Sequence, residues 1–172
     1  MEFLNLIKDR IPDYAKDVRL NLDGTIARSS LEKADAVGVA LAAAYASRSK
    51  FIVDTIRNSG ELDETDLNAV LTAAALMGMN NVWYPYVEAG DADLTTQRAE
   101  LRMNAYATHG GIAKTRFELF ALAASIIGKC HFCINSHYKL LKENGFTVQQ
   151  LRDVGRIAAS VAAAVHVLSA ET

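Results

Sequence analysis

Both cysteines of this 172-residue chain fall in one run, Cys130-His131-Phe132-Cys133-Ile134-Asn135-Ser136-His137. Two thiols three residues apart can close on each other, and a histidine four residues past the second can take or give a proton. The run is therefore a candidate two-electron redox centre. With Cys130 in the first turn of a helix, Cys133 follows one turn on and His137 one turn beyond. That spacing puts all three on one face. Free amides and the positive end of the helix dipole surround a first turn, and both favour thiolate over thiol. Lys129 and His131 add positive charge nearby. The thiolate is the form that attacks a peroxide or a disulfide. One sulfur takes the oxidising equivalent, as a sulfenate or a mixed disulfide, and the other resolves it by closing a Cys130–Cys133 disulfide. The chain has only two cysteines, so the cycle needs an outside reductant.

Glu118 is the other residue whose surroundings point to chemistry. Phe117, Leu119, Phe120, Ala121, Leu122, Ala123 and Ala124 surround it, so its helix is apolar nearly all round and expected to be buried. A buried carboxylate needs a partner. His137 on the next helix offers one, and a Glu118–His137–Cys133 relay would let the imidazole act as base. Other readings stay open. Glu118 could pair with Arg102 or Arg116, and the cysteines could be inert core residues. Glu118, Cys130, Cys133 and His137 together are of types that suit zinc. His131 reads as a solvated, charge-tuning residue, and His109 and His166 as structural. Trp83, Tyr84 and Tyr86 around Pro85 read as core or interface.

Helical signals position these residues from end to end, and strand signals are nearly absent. Pro12 suits the first turn of a helix through Val18 and Leu22. Ser29-Ser30-Leu31-Glu32 has the spacing of a capping box opening an alanine-rich helix to about Ser47. A helix to Ser59 follows, stopped by Gly60, and another starts at Asp63-Glu64-Thr65-Asp66. Gly90 to Asp93 reads as a loop, Arg98 to Ala107 as a helix, and Gly110-Gly111 as a loop. One helix is predicted from Lys114 to Ile127, stopping near Gly128. The next runs from near Cys130 to before Gly145, a good left-handed cap. Thr147-Val148-Gln149-Gln150 is a capping box for a final helix to near Ser169. A weak internal repeat, about 36–82 against 117–168, relates two helical units by shifts of 81 to 84. It puts Ser49 and Ile52 where the second unit has Cys130 and Cys133. The fold class is thus all-α, a single domain over 1–172. Its alanine-rich helix faces favour an oligomer.

Composition narrows the function. Hydrophobic residues make up 51% and the net charge is −2. No basic block suggests nucleic acid or an anionic membrane. No run reaches the roughly 18 apolar residues of a membrane span. The opening residues are too short and polar for a signal peptide, so a cytoplasmic protein is expected.

The chain resembles the alkylhydroperoxidase D family, within the carboxymuconolactone decarboxylase-like superfamily, along essentially its whole length. The resemblance rests on Ile11-Pro12-Asp13-Tyr14-Ala15-Lys16-Asp17, Met77-Gly78-Met79-Asn80-Asn81-Val82, Leu101-Arg102-Met103-Asn104, Phe117-Glu118-Leu119 and the Cys130–His137 run. It implies an all-α homotrimer that acts as an antioxidant dithiol oxidoreductase, with weak peroxidase activity of its own. The main partner implied is a peroxiredoxin of the alkylhydroperoxidase C type. The reductant implied is a dihydrolipoyl group on a lipoylated 2-oxo acid dehydrogenase component, with no cofactor or metal bound. By position, Cys133 is the attacking thiol, Cys130 the resolving thiol and proton donor, and His137 and Glu118 the proton relay. The chain departs from close members where Phe132 precedes the second cysteine in place of a histidine. The alternatives are a non-redox metal-binding or interaction protein, and a decarboxylase-like enzyme that needs no cysteine.

Overall fold

The computed structural model describes residues 1–171, and among these every regular element is helical. A short helix α1 (Glu2–Lys8) buries Phe3, Leu4 and Ile7. Pro12 caps a single 3-10 turn, Asp13–Ala15, which runs into α2 (Lys16–Leu22) and then a π-helical turn, Asp23–Ala27. Helices α3 (Lys33–Ala46) and α4 (Lys50–Arg57) follow, then the long α5 (Glu64–Ala89). A 3-10 turn (Ala92–Thr96) and the five-residue α6 (Asn104–Thr108) lead to α7 (Lys114–Gly128), α8 (His131–Glu143) and α9 (Val148–Ala170).

The core is built around α3 and α7. Residues Ala36 to Ala44 of α3 and Phe117 to Ser125 of α7 are all buried. Helices buried all round need small side chains where they cross, because thicker ones would hold the axes apart. Here Gly38 of α3 lies under the ring of Phe120 of α7, so close that a Cβ at Gly38 would collide with it. Helices α5 and α9 pack across this pair. Gly110 adopts φ 61°, a left-handed conformation, with its missing Cβ against the backbone of Ala69 on α5. That contact pins the α6–α7 turn to the core.

Two sequence expectations are corrected. The Ser29–Glu32 capping box does not form: α3 begins at Lys33 without a side-chain cap. Ser30 instead gives its amide and hydroxyl to Asp153 of α9, at 2.9 and 2.8 Å, and the Ser29 hydroxyl accepts from Leu31. A buried carboxylate outcompetes the local cap. The helix expected over Arg98–Ala107 is only Asn104–Thr108. Residues 98–102 bury no apolar face, and Glu100 takes φ 50°. The other punctuation is present: Thr147 and Gln150 form the reciprocal capping box, and Gly145 turns left-handed after α8. Helix α5 continues through Pro85, leaving Val82 and Tyr86 exposed. By length and composition α9 could cross a membrane. It buries Asp153 among donors from Ser30, Arg152 and Arg156, and Ser160 bonds Thr25, so it is a core helix with a polar seam.

Candidate functional site

Helix α7 ends at Gly128, and Lys129 takes the left-handed conformation, φ 54° and ψ 30°. The reversal makes Cys130 the N-cap of α8. Its sulfur accepts the Cys133 amide at 3.2 Å, the bond a serine oxygen makes in an ordinary cap. Cys130 therefore sits one residue ahead of the first turn in which it was expected. Cys130 and Cys133 are joined as a disulfide, with Cα atoms 5.3 Å apart.

The two sulfurs are not equivalent. Cys130 is sealed, 0% exposed, with its sulfur 3.9 Å from the Asn80 carbonyl of α5. Cys133 is 3% exposed and forms part of the wall of a cavity of about 370 Å³. Asn80, Tyr84, Tyr106, Phe132, Ser136 and His137 are among the other lining residues. Tyr84 and Phe132 stack with ring centres 4.2 Å apart, giving the cavity an apolar flank. A larger groove of about 950 Å³, bounded by Arg48, Lys50 and Gly78, is lined by no cysteine or histidine.

Glu118 of α7 is fully buried and both of its oxygens are used. Oε2 lies 2.5 Å from His137 Nδ1, and Oε1 accepts the Tyr106 hydroxyl. Burial pushes the carboxyl up, but hydrogen bonds from His137 and Tyr106 outweigh it and hold Glu118 below its ordinary value. Burial and the same contact push the Tyr106 phenol well up, so it remains a donor. With a carboxylate facing Nδ1, the proton sits there and Nε2 is left as the acceptor nitrogen. Nε2 lies 3.3 Å from the Met77 sulfur, which has no proton to give, so its lone pair is not engaged there.

The structure thus brings Glu118 to His137, and Cys133 and His137 to one cavity. The arginine alternatives for Glu118 do not occur: Arg116 bonds Asp35 and Asp66, and Arg102 is exposed. His131 is exposed, 3.8 Å from Glu88, and takes no part in the cavity wall. His109 packs edge-on against Tyr106 and Phe117. Among the described residues no three His, Cys, Asp or Glu side chains are grouped to hold a metal ion. Sequence reasoning missed Tyr106 and Met77. Tyr106 falls in the segment expected to be helical over Arg98–Ala107, where nothing marks its phenol as aimed at Glu118, and Met77 looks like any core residue of α5.

Residues 92–170, which hold the whole site except its α5 wall, match the carboxymuconolactone decarboxylase family. The chain is 41% identical over 171 residues to a protein of Rhodospirillum centenum named alkyl hydroperoxide reductase AhpD, covering 98% of this chain and 91% of that one. A Coxiella burnetii protein of the same name is 41% identical over 162 residues, 91% of each chain. A Bradyrhizobium protein of that name is 41% identical over 166 residues, 93% of this chain and 91% of its own.

Proposed function

The chain belongs to the AhpD family of alkyl hydroperoxide reductases, and from that membership we propose that it is a dithiol peroxidase cycling between Cys130–Cys133 thiols and disulfide. The observation that carries the reading is the asymmetry of the sulfurs: one opens on a cavity beside a histidine, and the other is sealed behind it.

The Cys133 thiolate attacks the distal oxygen of the hydroperoxide. The O–O bond breaks, a sulfenate forms on Cys133 and the alcohol leaves with a proton. Cys130 then attacks the Cys133 sulfur, closing the disulfide and releasing water. His137, oriented by Glu118, removes the thiol proton and returns it to the leaving oxygen. A dihydrolipoyl dithiol, carried on a lipoylated 2-oxo acid dehydrogenase component, opens the disulfide and is itself oxidised to the cyclic disulfide. The reduced pair also passes its two electrons to the disulfide of a peroxiredoxin of the alkylhydroperoxidase C type. The protein works in the cytoplasm as a homotrimer. Apolar Val82 and Tyr86, exposed on α5, support a covered face.

Peroxide consumption driven by dihydrolipoamide, with and without the peroxiredoxin, tests the reading. Cys133→Ser is expected to abolish turnover in both arms. Full turnover in that variant would sink it.

A further inference from the structure

Tyr106 lies outside the dithiol run, and no step of the proposed cycle calls for a phenol. Its hydroxyl nonetheless donates to the one carboxylate that touches His137. Glu118 is sealed from water, so an Oε1 without a donor would be a buried, unsatisfied acceptor. The phenol is held in place by its surroundings. Its ring meets Phe117 edge-on at 5.6 Å and His109 at 6.0 Å. The chain behind it is fixed by the left-handed His109 and by Gly110 against Ala69 of α5. Tyr106 also forms part of the cavity wall, which places Glu118 directly behind the surface a substrate would meet.

We propose that Tyr106 is a positioning residue for the proton relay: by donating to Oε1 of Glu118 it sets how tightly the Glu118–His137 pair holds its proton. The inference rests on the reading of His137 as the base. A donor on Oε1 spreads the carboxylate charge, leaving less of it on Oε2, where it faces the Nδ1 proton. Removing the donor concentrates charge on Oε2, and the pair takes up its proton at higher pH. The groups acting on Glu118 are His137 from α8, Tyr106 from α6 and Lys114 from the first turn of α7. From α5 the pair meets uncharged Met77. Arg116 of α7 is committed to Asp35 of α3 and Asp66 of α5. His109 touches the Tyr106 ring.

The test is Tyr106→Phe, which keeps the ring and removes the hydroxyl. The acid limb of the kcat/KM profile for peroxide is expected to move up by about one pH unit, the scale of one hydrogen bond to a charged group. A second readout needs no turnover: the His137 ring resonances of the oxidised protein, followed by NMR through pH, should move in the same direction. On a Glu118→Gln background, Tyr106→Phe should add no further shift, since the group it acts through is gone. Tyr106→Leu, lacking hydroxyl and ring alike, should reproduce the shift if Tyr106→Phe folds poorly. An unmoved His137 titration in a folded variant overturns the inference, as does an equal shift on the Gln background. A shifted titration without Cys133-dependent turnover would reject the peroxidase reading and leave this one standing.

Discussion

Glu118 keeps its charge without water because each of its oxygens has a donor. Its folded value is held below the ordinary one, so its stabilising contribution is fully present above about pH 4.3 and is lost as pH falls through the folded value. Glu118→Gln is therefore expected to be less stable at neutral pH, and to lose stability less steeply in acid. Urea unfolding at a series of pH values measures both, and equal slopes for the two proteins would remove Glu118 from the acid response. At the same scale, His137→Ala should lower peroxide turnover by roughly 10²–10⁴-fold, the usual contribution of a general base, while leaving the disulfide able to form. Four of these residues were legible in the sequence because their chemistry is unusual for their setting: a carboxylate in an apolar run, and two thiols with a histidine at helical spacing. Tyr106 was not, since nothing in the chain between it and Glu118, twelve positions on, reports that the two side chains meet. Met77 was hidden by being an ordinary apolar residue on a buried face.

Elements decide whether those side chains meet. Helix α7 carries Glu118 two residues before Phe120, and Phe120 fits only because Gly38 of α3 has no side chain. Gly38→Ala overpacks that crossing and is expected to cost about 1–3 kcal/mol, read as a lower denaturation midpoint with an unchanged slope. A loss of turnover beyond the unfolded fraction would follow if α7 moves to make room. Asp153 shows a helix tied at its side: burial pushes its carboxyl up, but Ser30, Arg156 and Arg152 hold it well below the usual range. Asp153→Ala should cost about 1–3 kcal/mol, since the Ser30 amide loses its acceptor while the arginines turn to water. A stability equal to the parent protein in chemical denaturation would count against that role. The same contact explains why one capping box was read correctly and another was not. Thr147 has only local bonding to satisfy, whereas Ser29 accepts from Leu31 and its neighbour Ser30 is claimed by a residue 123 positions away, which no local pattern reports. Residues 98–102 carry helix-forming types, yet bury no face that would hold them helical.

At the scale of the whole chain, the fold class was legible because helix periodicity and caps recur throughout. The way the helices stack was not, because alanine-rich faces look alike in sequence. Two local features recur at a shift of 81. Arg48 and Lys129 are both left-handed, and each precedes an N-cap, Ser49 or Cys130, that accepts the amide three residues on. Arg116, 81 positions after Asp35, donates to it at 2.7 Å. The segment between α5 and α6 is poorly covered: Asp91 to Gln97 are almost all exposed, as are Arg98 and Arg102. Limited trypsin digestion is expected to cut first at Arg98 and Arg102, leaving two fragments associated under native conditions. First cleavage in α8 or α9 would contradict that ranking.

The sealed Cys130 leaves the molecule with one door. In the proposed cycle, peroxide has to arrive at Cys133, and so does the dithiol that restores it, because the other sulfur touches no solvent. Oxidant and reductant then take turns at one atom and are never bound there together. Initial rates measured against both should give parallel double-reciprocal lines. Each half of the reaction becomes a competitor of the other when its substrate is in excess, and a thiol-blocking reagent applied to the reduced, folded protein should mark one cysteine per chain.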